Sequence, residues 1–175
     1  MTNAPLHGLQ VLDISSGPAA GLATMILADF GARVLRLEDP DYAKLNDQNA
    51  ARMWLRGKET SEGDVASLAR SCDVVVVSQP HGHQNADYDS IVAQNSGVIY
   101  AEVSAFGDLL PEAARVPLSE PLVAAKMGRM QAMSSITSDP GPKYAAVQVA
   151  THASAQNLVA GILAALFERA RSGTG

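Results

Sequence analysis

The side chains that could do chemistry are few in this sequence, and they fall mostly at the ends of apolar runs. The turn Ser15-Ser16-Gly17-Pro18, with Gly21 just beyond it, is followed by an acid, Glu38. That acid stands close to the ~20-residue spacing of a dinucleotide fingerprint. The middle glycine of G-x-G-x-x-G is Ala19, however, its third falls on Leu22, and Pro18 stiffens the loop that would wrap a pyrophosphate. A nicotinamide dinucleotide-binding module is thus an alternative with a well-placed acid and a poor phosphate cradle. Arg56-Gly57-Lys58 reads either as a solvated turn, the more ordinary outcome, or as a phosphate or carboxylate contact. His81 and His83 alternate without a Cys, Asp or Glu at ligand spacing, so no metal site is expected. Met127, Met130 and Met133 recur at helical spacing and read as core filler rather than as soft-metal ligands.

Positioning these groups requires a sheet. Gln10–Ile14 is a short apolar run of β-formers, and Leu22, Met25, Ile26 and Phe30 recur at helical spacing. Gly31 then stands where a helix C-terminal glycine is expected, and Arg33–Leu37 resumes a strand. Strand, crossover helix and strand over Leu9 to Pro40 form a βαβ unit, which implies a parallel sheet. Asp73–Val77 is an unbroken β-branched run, the pattern of a strand buried on both faces. Gly97–Val103 predicts another strand, and Tyr144–Val149 a last short one. Helices are expected over 63–69, 88–94, 121–133 and 153–171, the last with Thr151 as its N-cap and Leu158, Ile162, Leu163 and Leu166 on one face. Residues 41–62 read as polar and irregular, with Met53-Trp54-Leu55 as an apolar knot. Loops are expected over 79–83, 104–107 and 109–117, and a turn-rich linker over 134–142. The sum is a single α/β domain of four or five strands: a Rossmann-like open, mostly parallel sheet with helices on both faces, ending in a long helix.

Composition narrows the class. At 175 residues with 47% hydrophobic content, the chain is long enough for a sizeable core. Its net charge of −5 and the scattered placement of its 13 Lys and Arg argue against a nucleic-acid surface. The single cysteine, Cys72, allows no internal disulfide and suits a reducing compartment. The first residues lack a signal pattern and no apolar run approaches ~18 residues, so the expectation is a cytoplasmic protein with no membrane span.

Read in order, the motifs resemble the class III CoA-transferases, the family of carnitine-CoA and formyl-CoA transferases and α-methylacyl-CoA racemases. Pro5–Asp13 resembles "PLxGxxVLD", and Ala19–Ala32 is similar to "AGPYATMLLADLGA". Arg33–Pro40 matches "xVIKVExP", Leu55–Lys58 "NRGK", Cys72–Ser78 "ADVVVEN" and Val98–Gly107 "LIYASISGFG". Gly161–Arg169 looks like "GILAALxxR", and Ser172–Gly175 like the "TGRG" after it. The resemblance implies a Rossmann-like large domain that binds the CoA moiety, coenzyme A or acyl-CoA as substrate, no metal, and interlocked dimers. Full-length members are about twice as long, so this chain corresponds to their N-terminal part. A homologous CoA-transferase half or subunit is then the expected partner.

The same resemblance exposes departures. The family transferases attack the acyl-CoA thioester with an aspartate of "PxADxxAG", giving an acyl-aspartyl anhydride and then an aspartyl-CoA thioester. Thr151 stands at that nucleophile position, and its hydroxyl is essentially un-ionised at neutral pH. His152 is next in sequence, and adjacent residues of a helix do not face one another. Ser119 stands in place of the racemase histidine of "GHDINY". Glu120 is remote from Thr151 along the chain and is not counted as a substitute carboxylate. No intact catalytic residue is expected, and the reading is a degenerate half that supplies scaffold and CoA binding. The alternative is an active transferase whose nucleophile comes from another carboxylate or another chain. Candidate CoA contacts are Ser16, Gly17, Ala20, Gly21, Arg36, Glu38, Arg56, Lys58, Ser78 and Gln79.

Overall fold

The computed structural model describes residues 4–38, 51–79, 83–107, 119–136 and 138–175. The sequence readings at Asp39 and Pro40, at 41–50, at Pro80–Gly82 and at 109–117 lie outside these residues. Five strands form one sheet: β1 (Gln10–Asp13), β2 (Arg33–Leu37), β3 (Lys58–Ser61), β4 (Val74–Ser78) and β5 (Ile99–Val103). Their order is β3-β2-β1-β4-β5, and every pairing is parallel. The direction of strand addition reverses between β1 and β4. In open α/β sheets, ligands bind at such a switch point, beyond the carboxyl ends of the strands.

Alternation along the central strands supplies two cores. Val11, Val34, Val74 and Val76 face one helix layer, where Ala20 and Leu27 of α1 (Pro18–Asp29) and Ile162 of the last helix pack on them. Leu12, Val75 and Val77 face the other, against Val65 and Ala69 of α3 (Val65–Ala69) and Ile91 of α4 (Tyr88–Gln94). The β-branched run of β4 is buried along its whole length, as expected for a strand with helices on both sides. Asp64 and Asp87 cap α3 and α4 by accepting from the backbone N–H groups of Ser67 and Ser90.

Four expectations are corrected. Residues 58–61, read as part of an irregular stretch, form the edge strand β3 on β2, preceded by the one-turn helix α2 (Ala51–Trp54). Their polar side chains gave no β signal because backbone pairing, not a buried face, holds them. Tyr144–Val149 is no strand: Tyr144 and Val147 are exposed, so its apolar residues have no sheet face to alternate against. The helix over 121–133 is two, α5 (Glu120–Lys126) and α6 (Arg129–Ala132), because Gly128 adopts φ 74° between them. Met127, at that break, is 71% exposed and does not fill the core.

The last helix, α7 (Val149–Ser172), spans 24 residues and ends at Gly173 in the left-handed conformation. It begins four residues earlier than expected, and Thr151 lies inside its first turn rather than at its cap. It is also long and apolar enough, with a mean hydropathy of 1.3, to pass for a membrane span. Packing covers part of it: Ala155 and Ile162 are buried, Leu158 and Val159 pack on α1, and Arg169 ties its far end to the sheet, while only 17% of the apolar stretch is buried. The Arg169 guanidinium donates to the carbonyl of Gly97 at 2.9 Å and pairs with Asp73 at 2.9 Å.

Candidate functional site

Two clusters lie at the carboxyl edge of the sheet, and they differ in kind. The first centres on Asp13, the last residue of β1, which is fully buried. Lys58, at the start of β3, donates to its Oδ2 at 2.8 Å, to Thr24 Oγ1 at 2.6 Å and to the Gly21 carbonyl at 3.0 Å. Arg36 of β2 approaches the same Oδ2 at 3.2 Å, and Ser15 donates its hydroxyl to Oδ1 at 2.5 Å. Burial by itself would raise the Asp13 carboxyl; the Lys58 and Arg36 charges overcome that and hold it far below the ordinary carboxylate range. Burial pulls the Lys58 ammonium down, opposed by Asp13. Arg36 Nε is buried without a hydrogen-bond partner among the described residues.

This cluster decides where several sequence candidates go. Lys58 is not part of a solvated turn: its side chain is 2% exposed. Arg36 points to Asp13, while Glu38, one residue past β2, is exposed. Ser16 and Ser78 meet at the switch point, where Ser78 Oγ accepts from the Ser16 N–H at 2.7 Å and lies 2.9 Å from Ser16 Oγ. Gly17 precedes α1 with φ 84°, a conformation that favours glycine. Ala20 is buried in the core. Gly21 is buried because the Trp54 ring occupies its missing side chain's place, and a Cβ there would meet Trp54 Cδ1 at 2.6 Å. Arg56 is exposed and paired with Asp29 at 2.5 Å. Gln79 donates its backbone N–H to the Val103 carbonyl at 2.8 Å and its side-chain amide to Glu102 at 3.3 Å.

The second cluster is an open pocket between β5, α1, α5 and the start of α7. Pro18 and Ala19, Ser104 and Ala105, Ser119 and Glu120, and Thr151 and Ser154 line it. The fold therefore brings Ser119 and Thr151, far apart in sequence, to one place. It brings Glu120 there as well. One Glu120 carboxylate oxygen accepts from the Ala150 N–H at 3.0 Å and the other from the Thr151 N–H at 2.7 Å. Glu120 and Thr151, remote along the chain, are thus neighbours in space. Its burial would raise the carboxyl; the two backbone N–H groups outweigh that and hold it below its ordinary value.

Glu120 also explains why α7 starts early. The first N–H groups of a helix have no partner within it, and Gln148 at the cap makes no side-chain bond to them. The carboxylate of α5 serves instead. No local pattern could have shown this cap, because its donor and acceptor lie in different elements. His152 faces away from Thr151 and lines a different cleft, as neighbours on a helix must. His81 lies outside the described residues, among which no group of three or more His, Cys, Asp or Glu gathers as a metal would require.

The model of CoA-transferase family III matches residues 6–175. The chain belongs to that family. It is 29% identical to the probable fatty acyl-CoA transferase Rv3272 of Mycobacterium tuberculosis, over 97% of this chain and 48% of that protein. It is 28% identical to the acetyl-CoA:oxalate CoA-transferase of Acetobacter aceti, over 98% of this chain and 49% of that one. A crystal structure of Rv3272 superposes on 98% of this chain and 52% of its own with a TM-score of 0.83. A CAIB/BAIF family protein from Brucella suis, 24% identical, shares the fold with a TM-score of 0.82, over 99% of this chain and 52% of its own. This family member therefore spans about half the length of the curated relatives it matches.

Proposed function

We propose that this chain is one half of a family III CoA-transferase, catalytically silent by itself, supplying scaffold and acyl-CoA contacts to a larger enzyme. The observation that carries the reading is at the start of α7. Thr151, which by motif alignment takes the nucleophile's place, is 7% exposed in the pocket, and the lone carboxylate among the described lining residues, Glu120, has both oxygens engaged by backbone N–H groups. A carboxylate so held is stabilised as the anion and is a weak nucleophile toward a thioester. The names of the relatives, a probable fatty acyl-CoA transferase and an acetyl-CoA:oxalate CoA-transferase, support acyl-CoA as the substrate class.

The CoA contacts in this reading divide by accessibility. Asp13 holds Lys58 and Arg36, which organise the strand ends. Gly17, Gln79 and Glu38 offer backbone and polar groups around the switch point. Arg56 carries the exposed cation, since a phosphate could displace Asp29 from it at little loss. The partner half is supported by α7, whose outer face leaves Phe167 68% and Leu163 41% exposed. Apolar residues of this size on one helix face mark a surface that another element covers.

Hydroxylamine or borohydride trapping with mass spectrometry tests the silence. Incubated with acyl-CoA, the chain is expected to carry no covalent acyl or CoA adduct, while calorimetry with CoA shows binding. The second reading, an active transferase, is favoured by one fact: Glu120 lies within a hydrogen bond of the Thr151 backbone. It predicts an adduct on Glu120 that disappears in Glu120→Gln, and such an adduct would sink the first.

A further inference from the structure

A second cleft, of about 320 Å³, opens beside the Thr151 pocket, and Pro18 walls both. This volume is at the small end of the range for small-molecule sites. Leu22 of α1, Met53 and Trp54 of α2, and Val147 before α7 give it an apolar lining. Gln148 and His152 are its polar side chains, and no Lys or Arg lines it among the described residues. Among the described lining residues the second carboxylate of a dicarboxylic acyl group would meet no Lys or Arg, and an unpaired buried charge is strongly disfavoured. A hydrocarbon chain meets no such penalty and gains about fourfold in affinity for each methylene buried.

We propose that this cleft receives the acyl chain of an apolar, medium-chain acyl-CoA, with the thioester passing Pro18 toward Thr151. The inference rests on the reading of the chain as an acyl-CoA-binding half and adds the acyl class. The construction of the wall fits the role. Trp54 lies against α1 in the space left by the missing side chain of Gly21, so its ring forms one side of the cleft without a ligand. Met53 is 53% exposed at the rim, where an unbranched, polarisable side chain can adapt to chain length.

Trp54 is the sole tryptophan of the sequence, so its fluorescence reports on this cleft. The whole chain is titrated with CoA, octanoyl-CoA, succinyl-CoA and free octanoate. Octanoyl-CoA is expected to shift the Trp54 emission and to bind at least about tenfold more tightly than CoA or succinyl-CoA. Met53→Arg, at an exposed position the fold tolerates, is expected to weaken octanoyl-CoA about tenfold and to favour succinyl-CoA. Equal affinity for octanoyl- and succinyl-CoA overturns the proposal. So does CoA binding with no gain from the octanoyl group, although the CoA reading then survives. Octanoate moving the Trp54 emission while every CoA species fails supports the apolar cleft and overturns the CoA reading. Silence from all four ligands overturns both.

Discussion

Asp13 and Glu120 are both buried carboxylates at the carboxyl edge of one sheet, yet the molecule uses them in opposite ways. Asp13 is ringed by Lys58, Arg36, Thr24 and Ser15 from β3, β2, α1 and its own turn. Glu120 meets two backbone N–H groups and lines an open pocket. The first arrangement consumes its charge internally and locks three strand ends together. The second anchors a helix while leaving the groove beside it open to a ligand. Charged residues at a sheet's carboxyl edge are therefore not evidence of a binding site until their partners are known. Of the two, the better-charged cluster is the more structural.

The largest effect expected from this contrast is at Asp13. Asp13→Asn leaves Lys58 and Arg36 buried beside a neutral amide, and breaking a buried ion pair from one side costs about 3–5 kcal/mol. A domain of this size has only about 5–15 kcal/mol in hand. Urea unfolding should show that loss, and Asp13→Asn combined with Lys58→Met should recover part of it. A loss below about 1 kcal/mol would mean that the cations find other partners and that the cluster is not the lock described.

Acid separates the two carboxylates further. Both are held below their ordinary range in the folded chain. A carboxyl depressed by folding contributes stability that is complete above the unfolded value, about pH 4, and is lost as pH falls through the folded one. The Asp13 contribution should persist to the lower pH, because its carboxyl is held much farther down. Urea unfolding repeated at falling pH should then show stability dropping from about pH 4, more steeply while both carboxyls take up protons and less steeply once only Asp13 remains, and Asp13→Asn should flatten the low-pH part. A pH dependence unchanged by that substitution contradicts the assignment.

How much of this was legible beforehand follows from the range of each signal. The strands β1, β2, β4 and β5 and the helices α1, α3 and α4 are written in local periodicity, and the structure has them within a residue or a few. The edge strand β3 and the cap of α7 depend on partners elsewhere, so Lys58 read as solvent-exposed and Glu120 as remote. Ser119 and Thr151 were legible as the positions to watch only through family motifs. Their shared pocket with Glu120 is a product of the fold. Gly21 reads in sequence as a turn glycine and candidate CoA contact and Trp54 as part of an apolar knot, and only their contact makes a wall.

A smaller effect is expected at Glu120. Glu120→Gln keeps one carbonyl acceptor for the two N–H groups and should lose about 1 kcal/mol, and Glu120→Ala about 2 kcal/mol. Hydrogen exchange offers the sharper test. Amides of Ala150 and Thr151 should exchange faster in Glu120→Ala, while those around Ile162 should not change. Loosening that spreads along the whole of α7 would mean that Glu120 holds the helix to the sheet rather than capping its end.

The smallest effect is the control. Arg33 and Glu59 form a two-pronged ion pair across β2 and β3, with donor–acceptor distances from 2.7 to 3.2 Å. By geometry alone it is as good as anything around Asp13, but each side chain is 56% exposed. Water solvates both partners nearly as well apart as together, and salt screens what remains. Arg33→Ala should therefore leave the unfolding midpoint within experimental scatter at physiological ionic strength. A loss comparable to that of Asp13→Asn would show that cross-strand pairing, and not burial, sets the strength of these contacts. The Asp13 cluster would then owe its importance to its position between strands, and a buried uncharged pair at the same place should hold the sheet equally well.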